Sequence, residues 1–216
     1  TPTVTPTPTI TATPTATPPA GGATATPTVT PTPAVSVTPT CAAAPIAGCR
    51  TPEVGGKAFL LIKKQTDPDK DKLVWKWLKG SATSKVPDFG TPLANTSYKL
   101  CVYDGANLVL SSVAIGGDSC QGVPCWQEKP YGFKYKDKDN SPNGPQQILL
   151  KEGPAGKAKI IVKGKGSDLD PPPLPLTQPV TVQLVNTAGV CWQAVYSVPA
   201  IKNVAGPPGQ FKDKAD

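Results

Sequence analysis

The amino-acid sequence predicts an all-β fold, most simply a β-sandwich or a jelly roll. Short segments that are apolar or alternate apolar with polar residues recur from residue 57 to residue 214. Turn pairs such as Asp104-Gly105, Asn143-Gly144 and Ala188-Gly189 separate them, as in tight hairpins. No segment keeps a helical hydrophobic period over three turns. We therefore expect sheets that pack face to face.

Ten strands are predicted from these segments, because β-branched and aromatic residues alternate with lysine or threonine within them. The predicted strands are Lys57–Lys64, Leu73–Lys79, Ser97–Tyr103, Asn107–Val113, Gly132–Lys138, Gln146–Lys151, Lys157–Lys163, Val180–Val185, Val190–Ser197 and Gln210–Lys214.

The order of these elements repeats. Residues 57–139 and 146–216 each give an apolar strand, a turn, a lysine-rich strand, a loop, a hairpin and a Phe-Lys strand. We interpret this order as an internal duplication. Since about five strands are too few to be stable alone, one sandwich built from both repeats is favoured over two small domains.

Residues 1–40 form a segment of different composition, which we call the arm, and residues 41–216 form the body. The arm carries no charge and is almost entirely Thr, Pro, Ala and Val. It cannot bury enough apolar surface to fold alone, and its prolines favour an extended polyproline conformation. Because the sequence begins inside this Thr-Pro pattern without a methionine, we expect a processed product or a fragment of a longer chain.

Dense threonine beside proline is also typical of O-glycosylated stalks. The arm therefore predicts an exported glycoprotein with covalent glycans, located outside the cell or on its surface. By density, the best candidates for modification are Thr3, Thr5, Thr7, Thr9, Thr11, Thr13, Thr15 and Thr17.

The six cysteines are an even set and indicate disulfides in an exported protein. Short spacing favours Cys41 with Cys49 and Cys120 with Cys125, which leaves Cys101 to pair with Cys191. A zinc site is the weaker interpretation, because these spacings without histidine fit no usual zinc module.

Catalysis is not expected. The chain has no histidine, which excludes Ser-His-Asp and Cys-His arrangements, and it has neither a dinucleotide-binding nor a Walker motif. Its acidic residues cluster at turns beside lysines, as solvated turns do. We therefore expect no enzyme activity, no cofactor and no catalytic residue.

A calcium loop is a weak alternative. Asp139, Ser141 and Asn143 alternate and Gly144 follows, which matches the opening of an oxygen-rich calcium loop. Leu150 stands where a bidentate acid is expected, so a plain turn is favoured and no metal is predicted.

Two aromatic pairs are candidates for a sugar-binding platform. Trp75 and Trp77 share one strand face, and so do Phe133 and Tyr135. Exposed pairs would stack on pyranose rings, but the chain has few aromatics and the core needs most of them. The core is therefore the favoured location.

The net charge of +7 comes from dispersed lysines, with Arg50 as the single arginine. Base readers rely on arginine for bidentate contacts, so a solvated, lysine-covered sheet face is favoured over a nucleic-acid surface. No membrane-inserted segment is predicted either.

Several strings resemble those of an uncharacterised family of exported bacterial β-domain proteins with Thr/Pro-rich linkers. They are DKLVWKWLKG, YKLCVYDG, GFKYKDKD, KAKIIVKGKG, LPLTQPVTVQLVN and QFKDK. The resemblance spans residue 49 to the C-terminus. It implies an extracellular or surface location and supplies no activity and no catalytic residue.

The arm suggests a function. At ~3.1 Å per residue it would reach roughly 120 Å, beyond the body's expected width of about 40 Å. Its segment Ala34, Val35, Ser36, Val37 and Thr38 is strand-like and could join the sheet edge of another copy. Such head-to-tail contacts do not close and produce a filament. We thus expect a structural subunit of an extracellular homopolymer. The alternatives are a carbohydrate-binding or adhesion module on a mucin-like linker, and an inert spacer.

Overall fold

The computed structural model describes residues 40–137 and 145–216, and they form a β-sandwich. An eight-stranded and a four-stranded antiparallel sheet enclose one hydrophobic core, and a two-stranded ribbon lies beside them. The predicted all-β class is confirmed. The finer predictions of a jelly roll and of an internal duplication stay predictions.

The ten predicted segments all form strands, with ends that shift by one or two residues. Four further strands of two to four residues were not predicted, because such short pieces show no alternation. In chain order the strands are β1 Ala58–Lys64, β2 Lys72–Gly80, β3 Tyr98–Asp104, β4 Asn107–Ala114, β5 Ser119–Cys120, β6 Val123–Pro124, β7 Trp126–Lys129, β8 Gly132–Lys136, β9 Pro145–Lys151, β10 Ala158–Lys165, β11 Val180–Asn186, β12 Cys191–Tyr196, β13 Lys202–Val204 and β14 Gly209–Lys214; short 3₁₀ turns occur at Pro68–Lys70 and Ser167–Leu169.

Both sheets take strands from both halves of the chain. The large sheet has the order β13-β14-β1-β2-β10-β9-β8-β7, and the small sheet has the order β12-β11-β3-β4. The counterparts in the two halves are β1 and β9, β2 and β10, β3 and β11, β4 and β12, β7 and β13, and β8 and β14. When each strand is exchanged for its counterpart, both sheet orders read the same in the reverse direction. The last long strand of each half pairs with the first strand of the other, β8 with β9 and β14 with β1. The described halves therefore share their sheets and are not separate domains.

The core is built from the inward positions of both sheets, and its tryptophans have hydrogen-bond partners. The Trp75 indole N–H donates to the Tyr196 hydroxyl at 3.0 Å, which joins the large sheet to the small one. The Trp77 indole donates to the Gln193 carbonyl, also at 3.0 Å. All these aromatic side chains are buried. Since a buried indole N–H without a partner is costly, these bonds fix the two sheets against each other.

Burial also changes the ionisation of two core tyrosines. Desolvation raises the pKa of Tyr98 and of Tyr196 well above the ordinary value, although a hydrogen bond with a neighbour acts in the opposite direction in each case. The Tyr98 hydroxyl donates to the Phe89 carbonyl. Both phenols therefore stay protonated in the folded protein at pH values where an unfolded chain releases those protons.

We predict that the free energy of unfolding falls as pH rises above ~10. There the unfolded state loses phenolic protons that the folded state retains, so each tyrosine contributes a slope of up to about 1.4 kcal/mol per pH unit. Urea denaturation between pH 8 and 11 measures the slope. Tyr196→Phe should lessen it, and the exposed control Tyr131→Phe should not. An identical slope for Tyr196→Phe and the unmodified chain would contradict this account.

Candidate functional site: a stapled strap and the cleft beside it

The segment that comes after the arm crosses the outer side of the small sheet, and we call residues 41–50 the strap. Cys41 is bonded to Cys101 of the inner strand β3, and Cys49 to Cys191 of the edge strand β12. The two disulfides close separations of 60 and 142 residues. The point at which the arm joins the body is thus covalently fixed to the small sheet.

This pairing corrects two of the disulfides expected from sequence. Cys41 is not bonded to Cys49, and Cys101 is not bonded to Cys191; only the short-range pair Cys120–Cys125 is as predicted. The expectation favours Cys41 with Cys49 because they are close in sequence. In the fold the strap crosses from β3 to β12, so its two cysteines lie over different strands.

Hydrogen bonds hold the strap between its disulfides. The Ile46 N–H donates to the Gln183 side-chain oxygen at 3.1 Å, and the Gln183 side-chain nitrogen donates to the Ile46 carbonyl at 2.7 Å. The Gln183 amide also donates to the Gln193 side chain. Gln183 is fully buried. Since a buried amide must be satisfied, it ties the strap to β11 and β12.

The end of the strap covers the outer edge of β12. The backbone of Arg50 forms a parallel β-bridge with Trp192. The Arg50 N–H donates to the Cys191 carbonyl at 2.9 Å, and the Gln193 N–H donates to the Arg50 carbonyl at 2.7 Å. Unpaired strand edges favour association with other chains. The strap therefore occupies one of the two edges of the small sheet.

Arg50 also lines a cleft of about 840 Å³ between the strap and the β9–β10 hairpin. Its guanidinium is 2.8 Å from an Asp88 carboxylate oxygen and 6.0 Å from the centre of the Trp192 ring. Thr83 and Gly153 exchange backbone hydrogen bonds of 3.0 and 2.9 Å within this lining. The remaining lining residues are Ala82, Ser84, Tyr131, Lys151, Glu152, Pro154 and Lys157.

The carboxylates of the cleft already have partners. Asp88 accepts from the Ser84 N–H at 2.7 Å, from the Ser84 hydroxyl at 2.9 Å and from Arg50. Burial favours the neutral acid, but these hydrogen bonds outweigh it and hold the pKa of Asp88 below its ordinary value. Glu152 accepts from the Lys85 N–H at 2.8 Å. A carboxylate with a lowered pKa is a weak base, so Asp88 is poorly suited to take a proton from the Ser84 hydroxyl.

Tyr131 is the aromatic side chain that this cleft exposes to solvent. It is 66% exposed, and the Lys151 ammonium lies 5.8 Å from its ring centre. Its orientation depends on Gly132, where φ is +147° and a Cβ atom would lie 2.0 Å from the Leu150 carbonyl oxygen. Only glycine fits there, so the chain approaches β9 closely and turns Tyr131 outward.

The aromatic pairs expected as candidates for a sugar platform lie in the core instead. Trp75 and Trp77 are fully buried, and Phe133 and Tyr135 are 4% and 2% exposed. Tyr135 packs against Trp126 with ring centres 5.1 Å apart. These side chains therefore form no groove for a ligand.

Several predicted residues lie outside the described part of the chain. They include the glycosylation candidates between Thr3 and Thr17, the assembly segment 34–38, and the calcium candidates Asp139, Ser141 and Asn143. Within residues 40–137 and 145–216, no group of three or more His, Cys, Asp or Glu side chains could hold a metal ion. Nor does any helix of that part have the length and apolar character needed to cross a membrane.

The two ends of the large sheet differ. At one end, β13 exposes Val204, which is 47% exposed, next to Ile201 and Val198, which are 56% and 73% exposed. At the other end, β7 carries Glu128 and Lys129, and the Lys85 ammonium binds both the Glu128 carboxylate and, at 3.2 Å, the Lys129 carbonyl. The β13 edge thus exposes aliphatic side chains beside Lys202, whereas the β7 edge is charged and partly capped.

Sequence reasoning does not identify the strap contacts or the cleft. Ile46 and Gln183 are 137 residues apart, and no local pattern connects them. Arg50 stands out in the sequence only as the single arginine, and Tyr131 falls between predicted strands. The one useful signal is Gln183 in the middle of a mostly apolar strand, since a buried polar residue there requires a partner.

Comparisons with protein-family models, with curated proteins and with solved structures find no match to this chain. A functional assignment therefore depends on the fold and on the geometry of its surfaces. The resemblance to exported bacterial β-domain proteins stays a prediction.

We predict that the three disulfides contribute unequally to stability. In the chain-entropy account the stabilisation grows with the closed loop, so Cys49–Cys191 should exceed Cys120–Cys125 by about 3 kcal/mol. Urea denaturation of Cys49→Ala/Cys191→Ala and Cys120→Ala/Cys125→Ala measures the difference, with Cys41→Ala/Cys101→Ala between them. The account fails if the Cys120–Cys125 variant is the least stable of the three.

Proposed function

We propose that this protein is a non-catalytic structural subunit of an extracellular filament, a homopolymer in which the arm of one copy docks on the body of the next. The observation that supports the proposal most strongly is the stapled strap. A segment that only links two domains needs no covalent attachment at its base. An arm that transmits tension between copies does, because any pull on residue 40 reaches the body through residue 41.

The path of that tension favours a mechanical function. The Cys41–Cys101 bond directs it to β3, an inner strand that is hydrogen-bonded on both sides. The Tyr103 hydroxyl, also on β3, donates to the Ala42 carbonyl at 3.1 Å. The strap then continues to the second disulfide at Cys49. Force on the arm is therefore shared by the small sheet and does not peel away an edge strand.

The best acceptor for the arm is the free edge of β13. No second strand pairs with its outer side among the described residues. Although β13 has only three residues, Asn203 fixes it to the proline-rich loop: its amide donates to the Leu176 carbonyl at 2.7 Å and accepts from the Leu176 N–H at 2.9 Å. The edge is thus held in place and exposes its backbone to an incoming strand.

The arm segment 34–38 matches this edge in chemistry. It is uncharged, so Lys202 on β13 does not repel it. In an added strand Val35 and Val37 would point to the same face, where Val204 offers exposed aliphatic surface. The threonines nearer the N-terminus, from Thr3 to Thr17, would carry glycans that keep the outer arm extended and accessible.

Three disulfides are typical of proteins that mature in an oxidising compartment. An extracellular or cell-surface location is part of the proposal. So is the origin of the body in an internal duplication, which the symmetric strand orders support.

We predict that deleting residues 1–40 leaves a folded monomer. The deletion keeps Cys41 and all three disulfides, so the body should denature as before while polymerisation is lost. Electron microscopy and sedimentation velocity of the full chain and of the deletion measure this. Filaments that persist without the arm would falsify the proposed mechanism.

The same assay resolves the contact to single residues. Val37→Asp should raise the critical concentration for assembly by about tenfold or more, because it places a charge against an apolar edge. Ser36→Asp adds the same charge one position away, on the opposite face of the strand, and should have little effect. On the acceptor, Val204→Asp should act like Val37→Asp, and Gln127→Asp on β7 is the matched control. Equal effects of Val37→Asp and Ser36→Asp would exclude pairing as a strand.

The alternative carbohydrate-binding or adhesion module requires the pairs Trp75–Trp77 and Phe133–Tyr135 to form an exposed groove. Their burial removes that basis. A saccharide would need a different surface, and the exposed ring of Tyr131 lies on the other side of the large sheet from these core residues.

A further inference from the structure

The outward side of the large sheet is a continuous cationic surface, which we call the lysine face. Each of its eight strands contributes at least one outward lysine, and Lys63, Lys72, Lys151, Lys159 and Lys165 are among them. The acidic residues of these strands are Glu128 and Asp213, which pair with the core residues Phe133 and Leu60 and so take inward positions. The outward strand positions therefore carry only positive charge.

Lysines lie directly opposite each other across neighbouring strands. Lys72 of β2 is opposite Lys63 of β1 on one side and opposite Lys165 of β10 on the other. At the far end of the sheet, Lys159 is opposite Lys151. Neighbouring strands are ~4.8 Å apart, which is less than the ~8 Å Debye length at physiological salt. Like charges at this spacing destabilise a sheet.

The protein's own carboxylates neutralise these rows only in part, through the attraction between Asp67 and Lys165. The ion pairs of the described residues involve Arg50, Lys64, Lys70 and Lys85, and none of these is an outward lysine of the face. Asp67, in the β1–β2 turn, is 3.1 Å from Lys70 and also accepts from the Asp69 N–H at 3.1 Å. The face therefore retains a repulsion that an external anion would remove.

We propose that the lysine face binds a linear anionic polysaccharide. Lysines lie side by side on neighbouring strands in two places, Lys63, Lys72 and Lys165 at one end of these strands and Lys151 and Lys159 at the other. Charge complementarity therefore favours a polymer with regularly repeated negative groups. Tyr131 adds a site for sugar stacking where the face meets the cleft, since its exposed ring lies beside Lys151 of the face. Phe59, Leu61 and Ile161, half-buried between the lysines, offer flat apolar surface to sugar rings.

Two other polyanions fit these observations less well. Nucleic-acid readers use arginine for bidentate contacts, and the face has lysines alone; the single arginine of the chain, Arg50, is paired with Asp88. Anionic membranes also attract lysine clusters, but proteins that lie on a membrane commonly insert tryptophan, phenylalanine or leucine side chains as well. The four tryptophans here have hydrogen-bond partners inside the protein.

The test uses the full chain and oligogalacturonate as the probe, with malto-oligosaccharide of the same length as the neutral control, in isothermal titration at low salt. We expect binding of oligogalacturonate only, with an affinity that falls as salt rises. Lys72→Gln/Lys165→Gln should weaken it about tenfold. Lys99→Gln removes a lysine of the small sheet, away from the face, and should leave it unchanged. Tyr131→Ala should also weaken it about tenfold.

A second measurement needs no ligand. Lys72→Gln should raise the urea midpoint at low salt, because it relieves the repulsion with Lys63 and Lys165, and Lys99→Gln should not. The proposal is overturned if oligogalacturonate does not bind, if the neutral oligosaccharide binds equally well, or if Lys99→Gln weakens binding as much as Lys72→Gln/Lys165→Gln does. Tighter binding to single-stranded oligothymidine or to phosphatidylglycerol vesicles would overturn it as well.

Discussion

The covalent attachment of the strap to the outer side of the small sheet is the constraint on which the proposed function depends. Two disulfides and the Gln183 amide hold ten residues across three strands. The strap closes the β12 edge, supplies Arg50 to the cleft, and fixes where the arm begins. Without it, tension on the arm would enter the body at β1 of the large sheet and not at the small sheet.

The symmetry of the strand orders explains how the two halves of the chain form one body. Each half gives its last long strand to the first strand of the other half, so neither half can complete a sheet alone. The two ends of the large sheet are topologically equivalent but chemically different, with valine and isoleucine at β13 and a capped, charged edge at β7. A directional head-to-tail contact requires such a difference between equivalent edges.

Much of the fold could be predicted from local patterns, and much of the site could not. Alternation and turn pairs locate the long strands, because side-chain period and turn chemistry act over a few residues. The Cys41–Cys101 and Cys49–Cys191 bonds could not be predicted, because sequence proximity says nothing about a segment that crosses several strands. The lysines were expected on a solvated face, but their direct opposition depends on strand register, as for Lys63, Lys72 and Lys165, which only the assembled sheet defines.

The central claim is that the arm of one copy completes the sheet of the next. Cryo-electron microscopy of filaments assembled from the full chain tests it most directly. The account predicts density for an added strand along Lys202–Val204, contributed by residues 34–38 and continuous with residue 40 of a neighbouring copy. An unoccupied β13 edge in the assembled filament, or arm density that runs along its own body, would contradict it.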